Sequence, residues 1–258
     1  MTGPVVLPDA RIEGPLRLIG THLDTPDGHA LVGVRLVVRG VFDARGLQAD
    51  GEVRLSGARV DGNIDFRGAQ LTRHGGDALE ASGVQIGGNL RCDGGFSTKG
   101  RIVLAGASVA GNAVFSGATL RGTTNPQEPA VLVLPRGSPD PSAALVADRL
   151  AVNGNLLLDA GLTTQGSVRV TNARVGGYLR LSGATLGSPA GPGTDYGDPS
   201  APVTVALPAA GIDIVAAPRA RGPSPPTARP HPPAPLLAYG QIRLVGAHVH
   251  GSASLTGV

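Results

Sequence analysis

Apolar residues recur along most of the chain in short apolar-x-apolar steps, and the steps assemble into a 21-residue sentence repeated from one end to the other. Its clearest copy, residues 51–71, reads GEVRLSGARVDGNIDFRGAQL, with steps Val53/Leu55, Ala58/Val60, Ile64/Phe66 and Ala69/Leu71 set apart by glycine or small polar residues. Further copies occupy 3–23, 100–120 and 166–186, and a fifth, 240–258, stops two residues short. Period-two alternation broken this often predicts strands too short to pair with their sequence neighbours, and leaves no room for a helix between them. A coil solves the problem. Four short strands turn four corners per copy, and each pairs in parallel with its equivalent one turn away, at about 4.8 Å. Gly57, Gly62 and Gly68 fall at corners, where unusual backbone angles or close approach are required.

A second, looser coil type lies between these copies and begins Ala30-Leu31, Ala78-Leu79, Ala144-Leu145 and Ala206-Leu207. Ile86-Gly-Gly-Asn-Leu90-x-Cys92 superposes on Val109-Ala-Gly-Asn-Ala113-x-Phe115, so both types follow one wall plan. Five coils of the first type and four of the second predict about nine turns, a rod about 40 Å long, and a single domain over 1–258. The inward steps place Val53, Leu55, Val60, Phe66, Leu104, Val109, Phe115, Val170, Val175 and Leu181 in the core.

Segments between the first type and the second grow along the chain: 24–29, 72–77, 121–143 and 187–205. All leave after the same Leu step (Leu23, Leu71, Leu120, Leu186), which predicts loops on one corner of the rod. Such a ragged flank is either a binding side or a corner that tolerates insertion. The return junctions, such as Gln48-Ala-Asp50 and Ser97-Thr-Lys99, are tight and predict a smooth opposite side. A further insertion, 216–235, ends in the proline-rich GPSPPTARPHPPAP of 222–235, which suits either a solvated loop or an extended peptide ligand.

Composition narrows the picture without naming a function. Forty Gly and 22 Pro with 41% apolar and 3% aromatic residues fit a narrow bore filled by aliphatic stacks. The net charge of +3 disfavours nucleic acid as a partner. Cys92, the single cysteine, falls at an inward position and reads as a small core hydrophobe. Residues 1–14 carry no charged leader or apolar run, and no 18-residue apolar stretch exists, so a cytoplasmic, at most membrane-peripheral, location is expected. The fifth copy ends inside a strand step at Val258, which predicts either a cap beyond it or self-association through a C-terminal edge.

Few residues suggest chemistry. His248-x-His250 places two imidazoles outward on one strand, too few for a metal site by themselves, and His22, Asp24, Asp27 and His29 lack the spacing of a calcium or zinc loop. The loop 191–197, GPGTDYG, has the wrong glycine spacing for a dinucleotide fingerprint. No cofactor is expected. Asp65 and Asp159 are the acidic residues expected near the middle strand steps, too far apart by register for a paired acid and base. Arginine recurs at outward positions: Arg17, Arg35, Arg54, Arg91, Arg169, Arg180 and Arg243. Register puts Arg54, Arg169 and Arg243 on one wall and Arg17, Arg91 and Arg180 on another. These two ladders are either a candidate anion-binding surface or a solvated strand face.

The steps Ala58-Arg-Val60-Asp-Gly62, Ala69-Gln-Leu71, Ala107-Ser-Val109-Ala-Gly111, Ala118-Thr-Leu120 and Ala184-Thr-Leu186 resemble the pentapeptide-repeat family. That resemblance implies a right-handed quadrilateral β-helix. Two departures are the Arg, Gln, Thr or Ser between the inward pair and the Gly-Asn corner that lengthens one step to six residues. The sequence is also similar to bacterial proteins labelled membrane-associated oxidoreductases, although it holds neither a cofactor motif nor a redox cysteine pair. The expected function is therefore a non-enzymatic scaffold meeting a protein partner. Arginine-mediated binding to an anionic membrane surface or polyanion, and a carbohydrate-acting β-helix enzyme, remain the alternatives.

Overall fold

The computed structural model describes residues 3–123, 143–186 and 248–250, together with the backbone of Leu237–Ala238, Ile242–Arg243 and Ala253–Ser254. The chain winds as a right-handed all-β solenoid in which every strand pairing is parallel. Four walls follow one another in each turn. In the third turn they are centred on Val53-Arg54, Arg59–Val60, Ile64–Asp65 and Gln70-Leu71. The second and third walls are separate eight-stranded sheets, whereas the fourth and first share one twelve-stranded sheet. They are fused because the chain runs straight through the corner between them in alternate turns, as Gln48–Arg54 and Ser97–Val103.

Eight strands per wall mean eight stacked turns among the described residues, not nine. The difference lies at 187–236. Leu186 pairs directly with Ala238, Arg169 with Arg243, and Arg174 with His248, so the fifth copy of the first coil type rests on the fourth with no turn between. The chain leaves the fourth wall at Leu186 and re-enters that wall one strand later. The loops expected at 187–205 and 216–235, most of 121–143, and the terminal step at Val258 lie outside the described residues.

The corner between fourth and first walls also corrects the expectation of a ragged side facing a smooth one. Gln70-Leu71-Thr72 pairs with Gln48-Ala49-Asp50 on one side and Ser97-Thr98-Lys99 on the other. Longer passages and tight junctions therefore alternate along a single corner, since every turn must cross it once. The passages at 24–29 and 72–77 are register shifts inside the eleven-residue strands His22–Val32 and Gln70–Glu80. Arg73 ties them together across two turns, its Nη1 donating to the carbonyls of Pro26 at 2.9 Å and Gly28 at 3.0 Å. Glycine is required at the tight junction: Gly51 has φ +130°, and a Cβ there would meet the Thr25 carbonyl oxygen at 2.5 Å.

All ten residues expected in the core are buried. Size alternates along the inward columns. On the fourth wall Leu47, Ala69, Phe96, Ala118, Leu162 and Ala184 succeed one another, while the neighbouring column runs Leu23, Ala49, Leu71, Thr98, Leu120, Thr164 and Leu186. Large residues of one turn thus sit against small ones of the next, and this complementarity is the physical content of the two coil types. Phe42 and Phe66 meet edge to face at 5.7 Å, and Phe96 continues the cluster 6.2 Å from Phe66.

At the corner between the second and third walls the Gly-Asn pairs build a ladder of their own. Asn63 Oδ1 accepts the backbone N–H of Asn89 at 2.7 Å, and Asn89, Asn112 and Asn155 accept those of Asn112, Asn155 and Tyr178 at 2.8 Å. Each asparagine satisfies a corner N–H of the following turn that no strand partner reaches. Glycine precedes it because the backbones approach closely: a Cβ on Gly111 would lie 2.9 Å from the Gly88 carbonyl oxygen.

Candidate functional site: the outward charged columns

With the bore filled by apolar side chains apart from the hydroxyls of Thr98 and Thr164, the charged groups are confined to the outward columns. Both arginine ladders lie on the walls that register assigns them, but neither is continuous. On the first wall the column runs Val32, Arg54, Glu80, Val103, Val146, Arg169 and Arg243, so three residues intervene between Arg54 and Arg169. On the third it runs Arg17, Asp43, Asp65, Arg91, Val114, Leu157 and Arg180. Arg35 stands at a corner with φ 52° rather than in the middle of a strand.

Carboxylates accompany these arginines. Arg54 Nε lies 3.8 Å from Glu80 and 4.0 Å from Glu52, and Glu80 is also hydrogen-bonded by the Ser56 hydroxyl. Arg169 pairs with Asp148. On the third wall, Arg91 meets Asp93 at 2.8 Å and Arg180 meets Asp159 at 3.5 Å. In the turns before Arg91 the order within each step reverses: Asp43 holds Arg45 at 2.8 Å, and Asp65 holds Arg67 at 2.6 Å. The reversal puts Asp43 and Asp65 between Arg17 and Arg91 in one column, with Arg45 and Arg67 beside them. The wall is a lattice of paired charges, with a carboxylate and a guanidinium matched within each of these turns.

Asp43 is one of the acidic residues that sequence reasoning missed, and register sets it directly beside Asp65. The signal was present in the repeat of Asp43-x-Arg45 as Asp65-x-Arg67. Hydrogen bonds from the Arg45 guanidinium hold the Asp43 carboxyl below the usual carboxylate range, with burial opposing and Arg17 assisting. Burial works to raise the Asp65 carboxyl, but hydrogen bonds from the Arg67 side chain and backbone outweigh it and leave that carboxyl lowered too. Neither is disposed to carry a proton near neutral pH, as the acid of a paired-carboxylate mechanism must.

The histidines do not converge. His22 Nδ1 lies 3.3 Å from Gln48 Oε1, His29 Nδ1 lies 3.0 Å from Glu52, and His248 and His250 flank buried Val249 as exposed residues. Among the described residues no three His, Cys, Asp or Glu side chains gather as a metal site would need. Cys92 is fully buried, and burial pushes its thiol well above the ordinary value, with Asp93 and Asp65 adding to the effect. The loop 191–197 lies outside the described residues.

The second wall divides in two. Its N-terminal half is compensated: Asp9 pairs with Arg35 at 2.6 Å, Glu13 with Arg11 at 2.6 Å, and Asp61 with both Arg39 and Arg59 at 3.0 Å. In its C-terminal half Arg149, Asn172, Arg174 and His248 line an open groove with Ala151, and no acid stands among these described residues. Sequence could have signalled this, because the position two residues after the arginine is Glu13 or Asp61 in early turns and Gly176 in the late one.

No family model matches this chain, and no curated protein or solved structure matches it either.

Proposed function

We propose that this chain is a non-enzymatic β-solenoid scaffold that presents rigid, register-fixed outer walls to a protein partner, built on a pentapeptide-repeat-like plan and working in the cytoplasm. The observation that carries the reading is the engagement of charge on the first and third walls. Asp43, Asp65, Asp93, Asp148 and Asp159 each hold an arginine of their own wall. Carboxylates fixed in this way brace a surface, each engaged by a guanidinium of its own wall. Among the described residues no helix is long and apolar enough to cross a membrane.

Two assays on the intact protein test the reading. Acidic and neutral polysaccharides incubated with it should show no new reducing ends. Depolymerisation abolished by Asp43→Asn or Asp65→Asn would replace the scaffold with the carbohydrate-acting enzyme. Chemical cross-linking followed by mass spectrometry should trap a partner on outward positions of the first and third walls. Cross-links that disperse over all four walls would contradict a defined interface.

A further inference from the structure

We propose that Arg149, Arg174 and His248, with Asn172 between them, form a binding site for a phosphate group on the C-terminal half of the second wall. The assignment does not depend on the scaffold reading. Register brings the residues together. Arg174 and His248 are direct partners in adjacent strands, and the Arg149 backbone N–H donates to Thr171 at 2.7 Å, which sets Arg149 beside Asn172 one turn on. All four line one open groove together with Ala151, the strand partner of Arg174 in the preceding turn. Adjacent turns are about 4.8 Å apart, a spacing that lets neighbouring guanidinium groups contact different oxygens of one tetrahedral anion.

Two independent observations separate this cluster from the other arginines of its wall. The first is charge. None of the Arg149, Arg174 and His248 side chains forms an ion pair or a side-chain hydrogen bond within the described residues, whereas Arg11, Arg35, Arg39 and Arg59 on the same wall all hold carboxylates. In the turns of this half the positions equivalent to Glu13 and Asp61 are Asn153, Gly176 and His250, so among the described residues no acid of this wall offsets the positive field.

The second is backbone strain. The corner between first and second walls requires a left-handed residue in each turn, and Gly57, Gly83 and Gly106 supply it at φ 63°, 66° and 67°. Arg149 occupies the same corner at φ 55°, a conformation costly for a side chain of its kind. Arg35, at φ 52°, offsets that cost through two hydrogen bonds to Asp9 at 2.6 and 2.7 Å. Arg149 has no such compensation, which is the pattern of a residue kept for a ligand. Asn172, at φ 54°, tolerates the conformation and adds an amide donor.

A phosphate fits better than a carboxylate, because two guanidinium groups, an imidazole and an amide offer more donors than the two oxygens of a carboxylate can engage. The groove is open, so the phosphate belongs either to a soluble polyphosphate or to a lipid headgroup. Sodium tripolyphosphate, and vesicles of phosphatidylcholine with and without phosphatidic acid, are titrated against the intact chain and against Arg149→Gly, Arg174→Ser and, as a paired-arginine control, Arg59→Ala. Saturable tripolyphosphate binding in about 0.05 M NaCl, weakened roughly tenfold by each of the first two variants and unchanged in Arg59→Ala, is the expected result. The same variant pattern with phosphatidic acid vesicles alone assigns the site to a headgroup. Arg149→Gly should meanwhile melt no lower than the parent, since glycine relieves the strain. Absence of binding to either probe, equal weakening by Arg59→Ala, or a lower melting point for Arg149→Gly would overturn the proposal.

Discussion

Each of the four phenylalanines, Phe42, Phe66, Phe96 and Phe115, fills an inward position and is fully enclosed. A bore this narrow cannot close over a lost ring, because both neighbouring turns are pinned by their own ladders. Phe115→Ala should therefore cost about 3–5 kcal/mol, read as a lower denaturant midpoint. Cys92 shares the column of Phe66 and Phe115, and its raised thiol and complete burial predict no reaction with an aromatic disulfide reagent until the chain unfolds. Rapid labelling of the native protein would contradict its position. Both placements were legible, since period-two register assigns inward and outward from a few clear copies. What register could not supply was the state of the outward charges. Asp43 and Asp65 have lowered carboxyls, so the stability they contribute is present above the unfolded carboxylate value near 4 and is lost as pH falls through their folded values. Melting curves should be flat from neutral pH to about 5 and decline below 4. Asp43→Asn should make that decline shallower. An unchanged acid profile in that variant would show that the Arg45 contact contributes nothing to folding.

At the scale of the strand, the two coil types are a packing device. Ala118 lies between Phe96 and Leu162 in its column: its carbonyl accepts the Thr163 N–H, and the Thr119 N–H beside it donates to the Phe96 carbonyl. Ala118→Leu should overpack the bore and cost about 1–3 kcal/mol. The exchange of Phe96→Ala with Ala118→Phe keeps the pair's volume and should recover part of the sum of the two single losses, as unfolding midpoints would reveal. Strict additivity would mean that the alternation is incidental. Sequence displayed the two types but not their reason, because size complementarity belongs to residues 22 to 44 positions apart, as in Thr98 with Leu120 and Leu120 with Thr164, that become neighbours only once the turns are stacked. The Gly-Asn corner was likewise visible as an extra residue, while its role in feeding a hydrogen bond to the next turn needed the register in three dimensions.

Across the whole molecule, one stack of parallel turns sets which side chains are neighbours. It places the third-wall lattice and the Arg149–Arg174–His248 cluster on different walls, so the scaffold and the phosphate site can succeed or fail separately. Repetition made the stack legible, but the number of turns was not. Ala206-Leu207 and Ile212/Ile214, which lie outside the described residues, repeat the apolar spacing of a turn, and nothing local in the sequence shows that Leu186 pairs directly with Ala238. The direct measurement is a set of spin-label distances along the second wall. Labels on cysteines replacing Val37 and, in turn, Ser108, Ala151, Arg174 and His248, in a Cys92→Ala background, report separations of three, four, five and six strands. The mean distances should rise by about 4.8 Å per step, including the step from Arg174 to His248. A double increment at that last step would restore a ninth turn between them, and distances that do not grow in proportion to strand number would contradict the solenoid itself.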